Sequence, residues 1–277
     1  MIVSQHLRSL LLSMPVKLRV FKPIALELLQ LLVDPDVRFF DVVRIIKSDQ
    51  TLAAHVFKMA NSPAYIGKTS CDTMEAAAIR LGTQQIANIA IAASHASLHV
   101  SENRVVHDIM QDLWFHSHAC ALGSRMVAIK SGHAEYANHA YMAGLLHDIG
   151  KLYLLKTLEQ INRNMVSDDI LQRDLLLAIF SEMHVAMGCR VMDALNIPPI
   201  YHDVTTRHHE EQTEADDILL SIVRLVNINS RTFRLSPFPM QPPSDKPVSQ
   251  LGLVCLDESA MAKLEAAMTD SISGISA

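Results

Sequence analysis

The stretch Ala143-Gly144-Leu145-Leu146-His147-Asp148-Ile149-Gly150-Lys151 sets the reading of the whole chain. An apolar run ends directly on His147 and Asp148, with Lys151 three residues further on. Such a run buries itself, so the polar trio sits at the edge of a core, where a rigid element holds a ligand or metal. Adjacent residues on a helix point about 100° apart, so His147 and Asp148 can flank one ion from neighbouring directions. Lys151 lies one turn below, placed to meet an anion that such an ion would bind. The alternative reading is a helix end at which Asp148 and Lys151 form an i,i+3 pair.

Around that stretch the composition is helical. The 277 residues allow one large or two modest domains. Apolar residues make up 49% and charged residues 19%, which suits a well-packed globule. Ala, Leu, Ile and Met abound while aromatics are few and Gly is scarce, which favours helices over strands. A formal charge of −5 argues against a general nucleic-acid-binding surface. Cys71, Cys120, Cys189 and Cys255 are far apart and form no C-x-x-C pair, as expected of unpaired thiols in a reducing compartment. Met1 to Leu12 has neither a basic region before its apolar run nor a cleavage-like site after it. No apolar span reads as long enough to cross a membrane. The expected location is the cytoplasm, with no membrane partner.

Caps and stops divide the chain into helices. Pro23 opens one through Leu32, which Asp34-Pro35 stops, and Val37–Ile46 forms a second. Ser48 or Asp49 caps a third over Leu52–Met59, ended by Asn61-Ser62-Pro63. Thr73 begins a short helix to Leu81-Gly82, and Thr83 caps a longer one. Residues 104–130 read as one amphipathic helix whose inner stripe includes His116 and Cys120, closed by Gly132. A helix from about Asn138 to Leu155 carries the central stretch unbroken. Leu171–Ile179 and Met183–Leu195 are two further candidates, followed by helical patterns at 200–209 and 217–230. Prolines from Pro237 to Pro247 mark a linker, and Asp257 caps a last helix through Met268. Nothing alternates convincingly with the period of a strand. The expected fold is all-α. Its expected division is a helical extension over 1–17, an N-terminal helical bundle over 18–98, a core over 99–235, and a Pro-rich linker with a C-terminal helix over 236–277.

The 14 histidines are the compositional anomaly. His116 precedes His147 by about the length of a helix, a turn and the start of an antiparallel partner, so it can face the His147–Asp148 pair. Asp112 lies one turn above His116 as an oxygen donor or hydrogen-bond partner. His184 opens His184-Val185-Ala186-Met187-Gly188, whose Gly permits close helix approach, and His208-His209-Glu210 supplies two more imidazoles. Together they form an N/O ligand set for Fe, Mn, Zn or a similar divalent ion. His118 and His202 read as surface residues, His133 and His139 as solvated ones near a turn.

The same residues resemble the HD superfamily of metal-dependent phosphohydrolases, in which a His, a His-Asp pair and a distant Asp bind the metal. His116, His147 and Asp148 match the first three. The best match to the distant Asp is Asn227, which offers only a neutral carbonyl oxygen. The resemblance to the HDOD family, HD-related output domains of bacterial signalling proteins, covers about residues 18 to 235. Asp34-Pro35-Asp36, Ile46-Lys47-Ser48-Asp49, Met59-Ala60-Asn61-Ser62-Pro63, Ala78-Ile79-Arg80-Leu81-Gly82, Leu113-Trp114-Phe115-His116-Ser117 and the central stretch carry it. His147-Asp148-Ile149-Gly150-Lys151, His184 to Gly188 and His208-His209-Glu210 also look like motifs of the HD-GYP phosphodiesterases. The Gly-Tyr-Pro of that family is missing, since Glu210 is followed by Glu211-Gln212-Thr213.

The resemblance implies an HD-domain-like helical bundle with an additional N-terminal helical subdomain. It also implies a signal-transduction output domain that binds a signalling protein or a small phosphorylated ligand. The loss of a charge at Asn227 makes the metal site degenerate on this reading, with Fe, Mn, Zn or Mg bound weakly or not at all. Asn227→Asp is then expected to raise metal affinity. The alternative is a divalent-metal phosphohydrolase acting on a nucleotide or another phosphate ester. Lys151 and Asp148 would serve as its catalytic residues, and His184 or His208 would hold a second ion or protonate the leaving group. Either way His116, His147, Asp148, His184, His208 or His209, and Asn227 are expected to converge on one pocket with Lys151 at its rim.

Overall fold

Local signals in the sequence account for most of the helix boundaries in a computed structural model that describes residues 3–16, 20–32, 36–61, 70–164, 168–210, 217–233, 235 and 247–273. Two compact units emerge, Met1–Val20 with His99–Thr269 and Phe21–Leu98 with Asp270–Ala277.

The unit around Phe21–Leu98 is built from α2 (Pro23–Leu31), α3 (Phe39–Lys47), α4 (Gln50–Ala60), α5 (Met74–Leu81) and α6 (Thr83–Ala96). Pro23 takes the first turn of α2, where its missing N–H costs nothing. Of the two candidate caps for α4, Asp49 serves: its carboxylate accepts the Leu52 amide at 2.9 Å. Thr73 caps α5 as expected, accepting from the Ala76 amide at 3.0 Å. Thr83 is the first residue of α6 and not its cap, because Gly82 at φ +84° makes the turn between the two helices. Asn61 ties this region down by bonding both the amide and the carbonyl of Cys71, at 2.8 and 3.2 Å. Ser62-Pro63 and Asp34-Pro35 lie outside the described residues. Leu28, Val42, Ile46, Val56, Ile86 and Ile89 fill the interior.

The other unit holds α1 (Gln5–Ser13), α7 (Arg104–Lys130), α8 (Ala137–Leu146), α9 (Ile149–Asn164), α10 (Arg173–Ala194), α11 (Pro199–Arg207), α12 (Ile218–Thr232) and most of α13 (Glu258–Ser273). Asn103, Asp217 and Asp257 cap α7, α12 and α13 with their side-chain oxygens. The long helix expected over 104–130 is continuous. The helix expected from Asn138 to Leu155 is not: it breaks at His147-Asp148 into α8 and α9. The two helices expected at 171–195 are instead one, α10, since no breaker separates them. By length and composition α10 would suffice to cross a membrane, contrary to the sequence reading. Half of that apolar window is buried within the protein, with Phe180 and Met187 in the core.

Helix α8 packs on α7, α9 on α10, and α12 on α7. Glycines from the central stretch set two of these approaches. A methyl group on Gly144 would stand 2.6 Å from the Cys120 carbonyl oxygen, and one on Gly150 would collide with the His184 carbonyl. Only a bare Cα fits either crossing, so the residues flanking His147-Asp148 let α7 and α10 close in from both sides. The strands among the described residues are β1 (Gln250–Leu251) and β2 (Val254–Cys255), a small antiparallel hairpin inside the segment read as linker. The architecture is all-α.

Candidate metal centre

The break between α8 and α9 turns His147 and Asp148 inward. The His147 amide still bonds back to Ala143 at 3.0 Å, whereas the next ladder bond, Lys151 amide to Asp148 carbonyl at 2.9 Å, is a tight i,i+3 turn. His147 and Asp148 are buried at 1% and 2% exposure. His116 from α7, His184 from α10 and His208 from the end of α11 are equally buried, and His209 is half-buried.

Asp148 stands between two groups of imidazoles. Its Oδ2 lies 3.4 Å from His116 Nε2 and 3.3 Å from His147 Nε2, which are 3.3 Å from one another. Its Oδ1 lies 3.7 Å from His184 Nε2 and 3.6 Å from His208 Nε2, themselves 3.4 Å apart. His209 Nε2 is 3.0 Å from His184 Nε2. One carboxylate thus has one oxygen on each of two ligand sets.

The backbone decides what these rings offer. His147 Nδ1 donates to the Gly144 carbonyl at 2.8 Å, His184 Nδ1 to the Phe180 carbonyl at 2.6 Å, and His208 Nδ1 to the Thr205 carbonyl at 2.8 Å. A carbonyl only accepts, so in each neutral ring the hydrogen sits on Nδ1 and Nε2 carries a lone pair. The Nε2 atoms of His184 and His208 therefore face each other lone pair to lone pair, and that of His147 faces a carboxylate oxygen. Asp148 Oδ1 is buried and accepts no hydrogen bond. Converging acceptors without hydrogens between them are unfavourable in a dry core unless a cation lies among them. The set fits a pair of divalent metal ions.

Charge states agree with that reading. Burial pulls His116 down to about 4 and His184 to about 3, and it also lowers His208 and His209, so the imidazoles stay neutral as ligands must be. Burial alone would raise Asp148, but the Lys151 ammonium holds its carboxyl well below the usual range. Lys151 is itself buried, with Nζ 2.6 Å from Asp148 Oδ2. It supplies a cation from within the protein and stands inside the cluster, not at a rim.

The sequence expectations for His116, His147, Asp148, His184, His208 and His209 thus meet in one place. The i,i+3 ion pair of Asp148 and Lys151, the alternative reading of this stretch, is present and lies within the cluster. Asn227 is buried on α12, and its side chain hydrogen-bonds to none of these groups among the described residues. Asp112 turns away to Arg173, 3.5 Å distant, with over a third of its side chain exposed. His118 is buried and stacked on Trp114, with centroids 5.1 Å apart, not exposed. His139, expected to be solvated, is half-buried and shares a 3.1 Å hydrogen bond with Tyr201 Oη. His202 pairs with Asp193 at 3.3 Å.

One member of the cluster was not singled out in the sequence. Cys120 Sγ lies 3.8 Å from His116 Nε2, and His116, Cys120 and His147 each bring a ligand atom within 4.8 Å of the others. The signal was present: His116 and Cys120 are four residues apart on α7 and share a face.

Comparison with known proteins places the centre in context. The family model of the HDOD domain matches residues 18–211. An HDOD domain protein of unknown function from Geobacter sulfurreducens superposes with a TM-score of 0.71 at 19% identity, covering 97% of this chain and 95% of that one. A protein provisionally assigned as a metal-dependent phosphohydrolase, from Shewanella amazonensis SB2B, gives 0.70 at 20% identity, covering 96% of each chain. A protein provisionally assigned to signal transduction, from Marinobacter aquaeolei VT8, gives 0.62 at 17% identity, covering 99% of this chain and 62% of that one. The chain also matches an uncharacterized protein of Treponema pallidum (strain Nichols) at 23% identity over 218 residues, which is 40% of that protein's length.

Proposed function

This chain belongs to the HDOD domain family, and on that premise we propose that it is a signal-transduction domain carrying a two-position divalent metal centre. The observation that supports the metal is the convergence of imidazole nitrogens on the two oxygens of Asp148, with the hydrogens of His147, His184 and His208 turned away to backbone carbonyls. His116 and His147 with Oδ2 would hold one ion, and His184, His208 and His209 with Oδ1 the other. Fe, Mn and Zn suit a set of imidazoles and one carboxylate better than Mg, which favours an all-oxygen shell with several waters. The signalling role is supported by the family and by the burial of the donors. Five of the six metal ligands are at most 3% exposed, which leaves little surface for a substrate to touch.

A second reading, metal-dependent hydrolysis of a phosphate ester, is favoured by Lys151. Bound metal would activate water and polarise a phosphoryl oxygen. Lys151 holds an ammonium against Asp148 in the same dry site, where it would balance the charge of a phosphate.

The two readings separate experimentally. Protein purified without a His-tag is loaded with Mn, Fe or Zn, assayed for bound metal, and screened against phosphodiesters and nucleotides. Two ions per chain with background turnover support the signalling domain. Turnover that disappears in Asp148→Asn establishes the hydrolase instead. Metal content near zero after loading overturns the centre itself.

A further inference from the structure

We propose that Arg207 is a positioning residue for the His184–His208–His209 metal position: its guanidinium, shared among three carboxylates, clasps the turn that carries His209. The inference rests on the metal centre proposed above and says what holds its least anchored ligand.

His209 differs from the other ligands in how it is fixed. His147, His184 and His208 each lock their ring through Nδ1 to a backbone carbonyl three or four residues back. His209 lies past the end of α11, is half-buried, and makes no such bond among the described residues. Its Nε2 nonetheless stands 3.0 Å from His184 Nε2. Something other than its own ring must hold it there.

Arg207 fastens that turn twice. Its carbonyl accepts the Glu210 amide at 2.9 Å, and its Nε donates to Glu210 Oε2 at 3.0 Å. His208 and His209 sit inside the loop so closed. Arg207 Nη1 reaches on to Asp217 Oδ2 at 2.6 Å, and Oδ1 of the same Asp217 caps α12. Nη1 also meets Asp203 Oδ2, one turn back on α11, at 3.1 Å. The turn is thereby tied to α11 on one side and to the start of α12 on the other. A guanidinium suits this task, because its N–H donors are set in a rigid fork that can serve several carboxylates at once. The arms are not equal. Asp217 is 22% exposed, against 46% for Glu210 and 50% for Asp203, so solvent screens the Asp217 arm least. The clasp also accounts for Glu210. The sequence groups it with His208 and His209, yet its carboxylate is not among the converging donors and is spent on Arg207.

Calorimetric titration of the metal-free full chain with Zn tests this. Arg207→Gln removes all three arms. Asp217→Asn is the milder variant, since Asn caps a helix as well as Asp does and only the charge facing Arg207 is lost. In both, one ion should bind as in the wild type and the other about 10–100-fold more weakly, the usual cost of losing a group that orients a metal ligand. Arg207→Lys keeps the charge without the fork and should not restore the weakened ion. Asp203→Asn, on the exposed arm, should leave both affinities unchanged. A double-mutant cycle separates positioning from general stability. If Arg207 acts through His209, Arg207→Gln should weaken Zn binding no further in a His209→Ala background. Additive losses in that cycle would overturn the positioning role, as would wild-type affinity for both ions in Arg207→Gln, with the metal centre left standing in either case. No Zn bound by the wild type would remove the centre and the role of Arg207 with it. Should Arg207→Gln fail to fold, Asp217→Asn carries the same comparison alone and in the His209→Ala background.

Discussion

Gly150→Ala should empty one metal position and spare the other. In an ordinary helix this substitution would stabilise by about 1 kcal/mol, because Ala has less backbone freedom to lose. Here the new methyl would run into the His184 carbonyl and lie 2.6 Å from the Gly188 amide nitrogen. Both obstacles are backbone, so no rotamer change relieves the clash and α9 and α10 must separate. Overpacking of this kind costs about 1–3 kcal/mol, and rigid neighbours put it at the upper end, leaving a net loss of about 2 kcal/mol. The consequence for the site is larger. His184 moves with its backbone, while a workable metal site tolerates errors of only about ±0.2 Å in its bonds.

The expected result is one ion per chain in place of two, together with a lower urea midpoint for the metal-free protein. Gly144→Ala is the mirror image. Its methyl would meet the Cys120 carbonyl at 2.6 Å, so the position at His116 and His147 should be the one lost. Gly123→Ala is the control. Its neighbours are side-chain tips, Val226 Cγ1 at 2.8 Å, Met268 Sδ at 3.1 Å and Leu264 Cδ1 at 3.2 Å, which can give way. If Gly150→Ala binds two ions with wild-type affinity and keeps the wild-type midpoint, the close crossing does not position the centre and the reasoning fails.

Four further outcomes are expected. Asp148→Asn removes the bridge between both positions and leaves the Lys151 ammonium buried without its carboxylate, so metal binding should be lost and the metal-free protein destabilised by about 3–5 kcal/mol in urea titration. Burial holds His118 at about 4, below its unfolded value near 6.5; the neutral ring therefore stabilises fully above pH 6.5, and up to about 3 kcal/mol is lost as pH falls from 6.5 to 4. His118→Phe, which keeps a ring against Trp114, should flatten that acid limb in urea titrations from pH 7 to pH 4. A native thiol titration should react exposed Cys255 first and half-buried Cys189 next, with buried Cys71 and Cys120 reacting only on unfolding, since all four are free. Asn227 bonds to none of the clustered side chains, so Asn227→Asp should leave metal affinity unchanged; a clear gain in affinity for Mn or Fe would return Asn227 to the ligand set.

The fold was legible where a residue acts locally. Pro23, Asp49, Thr73 and Asp257 start helices for reasons confined to a turn, and periodicity does the rest. Legibility failed where tertiary packing overrides the local pattern. Nothing in Ala143–Lys151 forbids a continuous helix, yet α8 and α9 part at His147-Asp148, where both side chains turn into the cluster. The separate segments read at 171–179 and 183–195 are one helix because Phe180-Ser181-Glu182 between them holds no breaker, and the packing of Phe180 carries the helix through.

The site followed the same division. Each histidine alone reads as packing, and four separate buried imidazoles would each need a partner. Their number and helical spacing gave away the constellation, but spacing along one chain could not say which oxygen of Asp148 each would face. The surface expectation for His118 failed for a related reason. Two residues from a buried His116, it points elsewhere on α7, and it meets Trp114 there in place of water. Asn227 shows the limit most sharply. Matching residues to a motif looks for a ligand where relatives keep theirs, so it points along the chain to α12 and finds a neutral amide. In the fold that amide is buried and bonds neither to the clustered imidazoles nor to Asp148, so a residue's place in a motif does not fix its place in a site.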